Sequence, residues 1–378
     1  MNYCRNYVFF IAAVLLLFAS PFSFSEVKTS WTAYSQEKHD IHIPDLPGYI
    51  TLKCDFHMHT VFSDGTVWPT VRVDEAWREG LDAIAISDHI EYQPHKDYIP
   101  TNHEASNDIA APYAKTKNIL LPRAVEITQD TPPGHFNALF LTDNAALDTK
   151  DVLDQARIAN EQGAFLFWDH PGWKGLELGR WMETHSAMYE KKWLHGIEIC
   201  NGDTLYPEAF QWAVEKNLTM IGNSDMHEPI LDKPRTPENH RTITLVFAQD
   251  KTLPALKEAL FAGRTVVWSM NRLFGQEKYL KPLFDASVKM SNPYLWDKKS
   301  IWVQVDNSSD IAFELEKTGT YGPQTLLIPA NASIQLKAEI KKEEFDPDVK
   351  EIRLSYIVKN LLTAPEKPLP VEFVISMP

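Results

Sequence analysis

Asp55-Phe56-His57-Met58-His59-Thr60 closes a strand-like run that begins at Tyr49, and the chain then passes into Ser63-Asp64-Gly65. Side chains of a strand alternate between faces, so His57 and His59 point the same way and Met58 points back. Two imidazoles on one face at a strand end can grip one metal ion. That spacing alone is a weak signal, because paired strand histidines are often polar surface. The rest of the chain strengthens it. Ser87-Asp88-His89 closes a second apolar run, Glu126 lies in a third, and Gly134-His135 directly precedes a fourth. Trp168-Asp169-His170-Pro171-Gly172 closes a fifth, and Asn223-Ser224-Asp225-Met226-His227 follows a later one. Six of the 13 histidines thus stand at strand ends or loop starts. His, Asp and Glu in such numbers suit divalent ions such as zinc, manganese or iron. The ligand candidates are His57, His59, Asp64, His89, Glu126, His135, His170, Asp225 and His227. Glu126 could instead be a salt-bridged carboxylate, and His135 could cap the turn after Pro132-Pro133-Gly134. Asp88 and Asp169 each precede a ligand candidate and face away from it along an extended chain, which makes them supports for the ligands.

Such side chains need elements that aim them at one place. Strand-like runs occur at Ile50–Phe56, Asp82–Ser87, Ile119–Thr128, Phe136–Leu141, Ala164–Trp168, Gly196–Cys200, Leu218–Gly222 and Thr242–Phe247. Most are short and wholly apolar, as in strands buried on both faces. Helical patterns lie between several of them, at Trp68–Glu79, Asp151–Glu161 and Thr252–Ala262. Strand–helix alternation with seven or eight strands predicts a parallel α/β barrel, whose active site lies at the C-terminal strand ends. Beyond about Asn271 the helical period fades. Residues 301–305, 312–316, 333–337 and 371–375 alternate apolar with polar, which predicts a small antiparallel β domain over 285–378. It carries no cluster of ligand-type residues.

Composition bounds the rest. A chain of 378 residues, 44% hydrophobic with 11 Trp and 19 Phe, supports a substantial core. Arg5 is the one charged side chain before Glu26, and Val8 to Phe18 is unbroken apolar sequence followed by Ser23-Phe24-Ser25. This reads as a signal peptide over 1–25, too short in its apolar core to span a bilayer. Its removal takes away one positive charge, from −14 to −15. So acidic a chain is a poor partner for nucleic acid or anionic membranes. Only Cys54 and Cys200 then remain, both inside apolar runs, which favours buried free thiols over a disulfide scaffold.

Taken in order, His57-x-His59-Thr60-x-x-Ser63-Asp64-Gly65, Ser87-Asp88-His89, Glu126, His135, His170-Pro171-Gly172 and Ser224-Asp225-x-His227 resemble the PHP (polymerase and histidinol phosphatase) superfamily. The resemblance covers roughly residues 50–250 and implies a distorted (β/α)7 TIM-like barrel over 26–284 with two or three metal ions. It implies that His57, His59, Glu126 and Asp225 hold one ion. Glu126 then bridges to a second held by His135 and His170, and Asp64, His89 and His227 hold a third. Residues 67–76, 134–138, 167–173 and 240–247 further resemble an exported, bacterial branch of phosphodiesterases that attack organophosphate diesters, which implies a periplasmic location. That branch often has Glu where this chain has Asp88.

Two ions about 3.5–4 Å apart can share a bridging hydroxide, held here through Glu126, for in-line attack on a phosphoryl centre. A proton for the leaving group could come from water on the third ion, from His95, or from Asp88 through His89. Arg241, Lys96 and Lys174 are candidates to neutralise a phosphoryl oxygen, and Trp173 and Tyr92 to wall a leaving-group pocket. The expectation is a hydrolase of small phosphate diesters with no nucleic acid partner. A phosphomonoesterase on the same site and a non-catalytic metal-containing binding protein are the alternatives.

Overall fold

The structure, a computed structural model, describes residues 37–230, 239–296, 300–339 and 350–376. The expected signal peptide lies outside the described residues. No described helix is long and apolar enough to cross a membrane.

The elements follow in chain order. The first half holds β1 (Ile50–Asp55), α1 (Pro69–Arg78), β2 (Ala83–Ile84), α2 (Ala105–Thr116), β3 (Ala124–Ile127), β4 (Phe136–Leu139), α3 (Val152–Glu161), β5 (Phe165–Trp168) and α4 (Glu183–Glu190). Then come β6 (Gly196–Asn201), β7 (Thr204–Leu205), α5 (Pro207–Lys216), β8 (Thr219–Asn223), β9 (Ile243–Ala248), α6 (Leu253–Phe261), β10 (Thr265–Ser269), β11 (Arg272–Gly275) and α7 (Glu277–Ser287). Eight strands complete the chain: β12 (Val288–Met290), β13 (Leu295–Trp296), β14 (Ser300–Asn307), β15 (Phe313–Lys317), β16 (Thr325–Ile328), β17 (Ala332–Glu339), β18 (Glu351–Ala364) and β19 (Lys367–Ser376).

The expected helices form for local reasons. Pro69 opens α1, where its missing N–H costs nothing. Asp151 caps α3 by accepting from the N–H groups of Leu153 and Asp154, and Thr252 caps α6 through Ala255. Each such cap is worth about 1 kcal/mol. The apolar runs β3, β4, β5, β8 and β9 are buried at every residue, as their composition requires.

The sheets depart from an all-parallel barrel. β3, β4 and β5 run antiparallel in turn, and the same sheet continues through the parallel pairs β5–β6 and β6–β8. β1 is parallel to β2 but antiparallel to β9. Among the described residues the continuous ladders do not close into a barrel. The two sheets that lead into the ligand motifs meet at isolated parallel bridges instead, Ala83 with Leu120, His89 with Glu126, and Met58 with Met226. Two of those three seams run through the ligand motifs.

β12 to β19 form the β-rich C-terminal part. β14 pairs with β17 along its whole length, and β18 pairs with β15 and β19. β18 also runs parallel to β11, with Leu361 beside Leu273 and Leu362 beside Phe274. One sheet, β16-β15-β18-β11-β10-β9-β1-β2, therefore reaches from the C-terminal strands to the strand that leads into His57. Cys54 and Cys200 are buried free thiols.

Candidate metal centre

Each ligand candidate reaches the centre because a strand or its continuation delivers it. Beyond Asp55 the chain stays extended. The Asp225 N–H donates to the His57 carbonyl at 2.9 Å, and the His59 N–H donates to Met226 at 3.0 Å. The two i, i+2 motifs thus lie side by side, with Met58 turned into the core and fully buried. Asp64 is placed by the loop that follows. A side chain at Gly65 would come within 2.6 Å of the His59 carbonyl, so only glycine lets the loop fold back there. Asp88 fastens this loop, accepting from the Thr60 N–H, the Thr60 hydroxyl and the Ser63 hydroxyl, each at 2.7 Å. His170 and Asp225 have φ of 28° and 52°, the left-handed region that side-chain-bearing residues avoid. Such backbone strain concentrates at functional sites, where surrounding structure enforces it.

All nine candidates come together. Nε2 of His57 lies 3.0 Å from Glu126 Oε2 and 3.2 Å from Asp225 Oδ1. Nε2 of His59 lies 3.1 and 3.2 Å from the same two oxygens. His135 Nδ1 is 2.6 Å and His170 Nε2 3.7 Å from Glu126 Oε1. Asp64 Oδ1 is 3.4 Å from His89 Nε2 and 3.2 Å from His227 Nε2. Glu126, fully buried, is the common neighbour of His57, His59, His89, His135 and His170. Among the described residues five overlapping groups each keep their ligand atoms within 4.8 Å, four of them made of the candidates: His59, Asp64, His89 and His227; His57, His59 and Asp225; His57, Glu126 and His170; His89, Glu126 and His135; the fifth joins His57 to Asp169 and Glu198. Imidazole and carboxylate donors at that separation fit divalent ions held at about 2.0–2.2 Å.

The electrostatics point the same way. Burial alone would lower the His57 pKa, yet Asp225, Glu198, Glu126 and Asp169 hold it well above the usual imidazole range. His89 is raised to about 9 against the same burial, chiefly by Glu126 and Asp64. Burial works to raise Glu126 and Asp225, but the surrounding histidines hold both well below the ordinary carboxylate range. Asp169 goes the other way. Desolvation drives its pKa well up, and neither carboxylate oxygen has a hydrogen-bond partner. A buried set so rich in carboxylates calls for cations, and a divalent ion supplies more charge than an imidazolium proton.

A cavity of about 270 Å³ opens onto the centre. Its lining includes Asp64, His89, Glu126, His135, His170, Asp225 and His227, with Tyr92, Thr128, Trp173 and Asn201 around them. Trp173 stands edge-on to His135 and His170, ring centroids 5.7 Å from each, and Tyr92 lies 5.8 Å from His89.

The cationic expectations need correction. Arg241 does not face the cavity. Its guanidinium is 5% exposed and pairs with Asp55 at 2.9 Å and Glu79 at 2.5 Å, so its charge is used inside the fold. Lys96 is exposed, and neither it nor His95 lines the cavity. Asp88 accepts from Thr60 and Ser63, which makes it a strut for the loop that carries Asp64. Lys174 does not line the cavity either, and its ammonium lies 4.6 Å over the ring of Trp173, which does.

Other residues that build the centre escape sequence reading. Glu198, fully buried on β6, lies 3.0 Å from His57 Nδ1 and accepts the His170 N–H at 2.8 Å. Asn201 donates to Glu198 and to Asp225. Arg72, fully buried on α1, donates to the carbonyls of His59, Met226 and Glu228 and so staples the two i, i+2 motifs together. The available signal was a charged residue inside a buried stripe: Glu198 within an apolar strand, and Arg72 and Glu75 beside Val73 and Ala76.

Residues 288–374 match DUF5001, an Ig-like domain. No curated protein matches the chain. The crystal structure of a two-domain protein containing a predicted PHP-like metal-dependent phosphoesterase, from Bacteroides vulgatus ATCC 8482, is 40% identical. It covers 90% of this chain and 100% of that one, with a TM-score of 0.84. Endonuclease Q, in complex with a 27-mer duplex bearing an abasic lesion, is 12% identical over 60% of each chain, with a TM-score of 0.41. Identity of 40% along the whole of a two-domain relative, with the ligand motifs gathered in one basin, places this chain in the family of PHP-like metal-dependent phosphoesterases.

Proposed function

We propose that the chain is an exported metal-dependent phosphodiesterase that hydrolyses small organic phosphate diesters. The observation that carries the diester reading is the cavity wall. Among the described residues its lining holds two aromatic side chains and no lysine or arginine. A diester carries one negative charge, which the ions can meet. A monoester dianion would call for convergent cations besides. Tyr92 and Trp173, each about half exposed, offer flat apolar faces to an organic substituent.

His57, His59, Glu126 and Asp225 would hold one ion, Glu126, His135 and His170 a second, and Asp64, His89 and His227 a third. His59 also lies close enough to the last group to touch both ends of the basin. Bound divalent ions supply an activated water near neutral pH and polarise the phosphoryl oxygens. The chain supplies the geometry. Glu126 brings its two oxygens to opposite sides of the basin, Asp88 and Arg72 fix the loops, and the aromatic pair orients the substrate's organic group. The same reading takes β1, β2, β3, β4, β5, β6 and β8 as a distorted ring around the basin. It takes residues 26–284 as the phosphoesterase part and 285–378 as its β-rich appendage. Export rests on the apolar run of residues 8–18.

The test uses the mature protein, recovered from the periplasmic fraction with Glu26 at its N-terminus. Metal per chain is measured, and rates on bis(4-nitrophenyl) phosphate and 4-nitrophenyl phosphate are compared with manganese or zinc. The expected result is faster diester turnover. Faster monoester turnover overturns the diester reading, and a metal-loaded protein that turns over neither is a binding protein.

A further inference from the structure

Glu198 is fully buried and meets four partners. Oε1 accepts from Asn223 Nδ2 at 2.8 Å and lies 3.0 Å from His57 Nδ1. Oε2 accepts from the His170 backbone N–H at 2.8 Å and from Asn201 Nδ2 at 2.9 Å. Both amide orientations are fixed independently. Asn223 Oδ1 takes the Phe56 N–H at 2.8 Å, and Asn201 Nδ2 also reaches Asp225 Oδ2 at 3.2 Å. Three of the four partners can therefore only donate. A carboxylate has acceptor capacity for all four and a carboxyl group would not.

We infer that Glu198 is a positioning residue that fixes His57 with its proton on Nδ1, leaving the Nε2 lone pair for a metal ion. On the other side of that ring, Nε2 converges with Glu126 Oε2 and Asp225 Oδ1. One side chain thus sets three candidate ligands: the tautomer of His57, the left-handed backbone of His170, and, through Asn201, the Asp225 carboxylate. The inference rests on the metal-centre reading above and adds the residue that orients it. A carboxylate on the far nitrogen of a ligand histidine fixes ring and tautomer and strengthens the ligand.

Glu198→Gln keeps the shape but turns one oxygen into an NH2 group. At the Oε2 position that NH2 meets two donors, and at the Oε1 position it meets the Asn223 donor and, in the inferred tautomer, the His57 Nδ1 proton. Zinc affinity is measured by competition with a chromophoric chelator for wild type and Glu198→Gln. The 15N-histidine spectrum of zinc-loaded wild type, with the His57 signals identified by their loss in His57→Asn, reads the tautomer. The expected results are a loss of about 10–100-fold in affinity and a His57 ring protonated on Nδ1 with Nε2 on the metal. Unchanged affinity in Glu198→Gln overturns the inference. So does a His57 ring protonated on Nε2 in wild type, which decides the matter even if the variant fails to fold. A wild-type protein that binds no zinc overturns the metal-centre reading itself.

Discussion

Glu126 sits between two sets of histidines, with Oε2 facing His57, His59 and His89 and Oε1 facing His135 and His170. A neutral amide there could offer only one oxygen, and its NH2 would displace an ion from the other side. Glu126→Gln is therefore expected to lose at least one ion per chain and to lower diester turnover by on the order of 100-fold or more. Metal analysis and steady-state rates on the same preparation check this, and full occupancy with unchanged rate would remove Glu126 as the bridge. The same residue shows why the centre was legible from sequence. Ionisable residues are rare at the ends of wholly apolar strands, so His57, His89, Glu126, His170 and Asp225 announce themselves by type and place. Arg241 was misread because its partners Asp55 and Glu79 lie far away in sequence, and only the fold reveals that its charge is spent. Glu198 went unread because one acid in an apolar strand carries no spacing signal, and its meaning lies in four partners from β6, β8 and the chain after β1 and after β5.

The elements were legible where local chemistry decides them. α1, α3 and α6 carry a Pro, Asp or Thr at the start, and the structure keeps each within a residue or so of its pattern. α4 carries a plain surface-like sequence and was not foreseen, yet it buttresses the centre. Its His185 is fully buried against Trp168, ring centroids 3.8 Å apart, and donates from Nε2 to the Pro133 carbonyl, two residues before His135. Nδ1 accepts the Met182 N–H, so the ring is neutral. Burial pushes its pKa down to about 4, with the Pro133 hydrogen bond opposing. Unfolded, the ring would titrate near the ordinary value of about 6.5. Between those values the unfolded chain binds more protons, so stability rises with pH across that window. The contribution is complete above 6.5 and lost as pH falls toward 4. His185→Gln removes this titration while offering both a donor and an acceptor. The stability of wild type relative to the variant, from urea unfolding at several pH values, is expected to rise by up to about 3 kcal/mol from pH 4 to 6.5. A flat difference would mean that His185 is solvated and the loop before His135 is held some other way.

At the scale of the molecule, the C-terminal strands were legible as a β domain by their alternation, but their joint with the rest was not. The joint is made by β18, whose fourteen residues pair with β15 and β19 and then with β11. Asn360 locks it, donating to the carbonyls of Asn271 and Ala312 and accepting the Glu314 N–H, while Asn271 accepts the Ala312 N–H. The core is continuous across the joint. Phe284 of α7 packs on Phe313 and Phe373, and Leu273, Leu280 and Leu283 are fully buried in the same apolar cluster. Removing residues 288–378 would take Phe313 and Phe373 from Phe284 and Leu361 from Leu273, and so open this face of the cluster. Burial of each side chain is worth about 1.5–3 kcal/mol, so exposing all four would cost at most about 6–12 kcal/mol. That is as large as the whole stability of a typical domain, about 5–15 kcal/mol. The chain cut after Ser287 is therefore expected to aggregate or to melt without a cooperative transition, with metal binding lost alongside. Calorimetry and metal analysis of the truncated protein check it. A cut chain that melts cooperatively and keeps its ions would mean that the Ig-like part is a passenger, and that the sheet running through β11 and β10 to β1 closes the catalytic core without it.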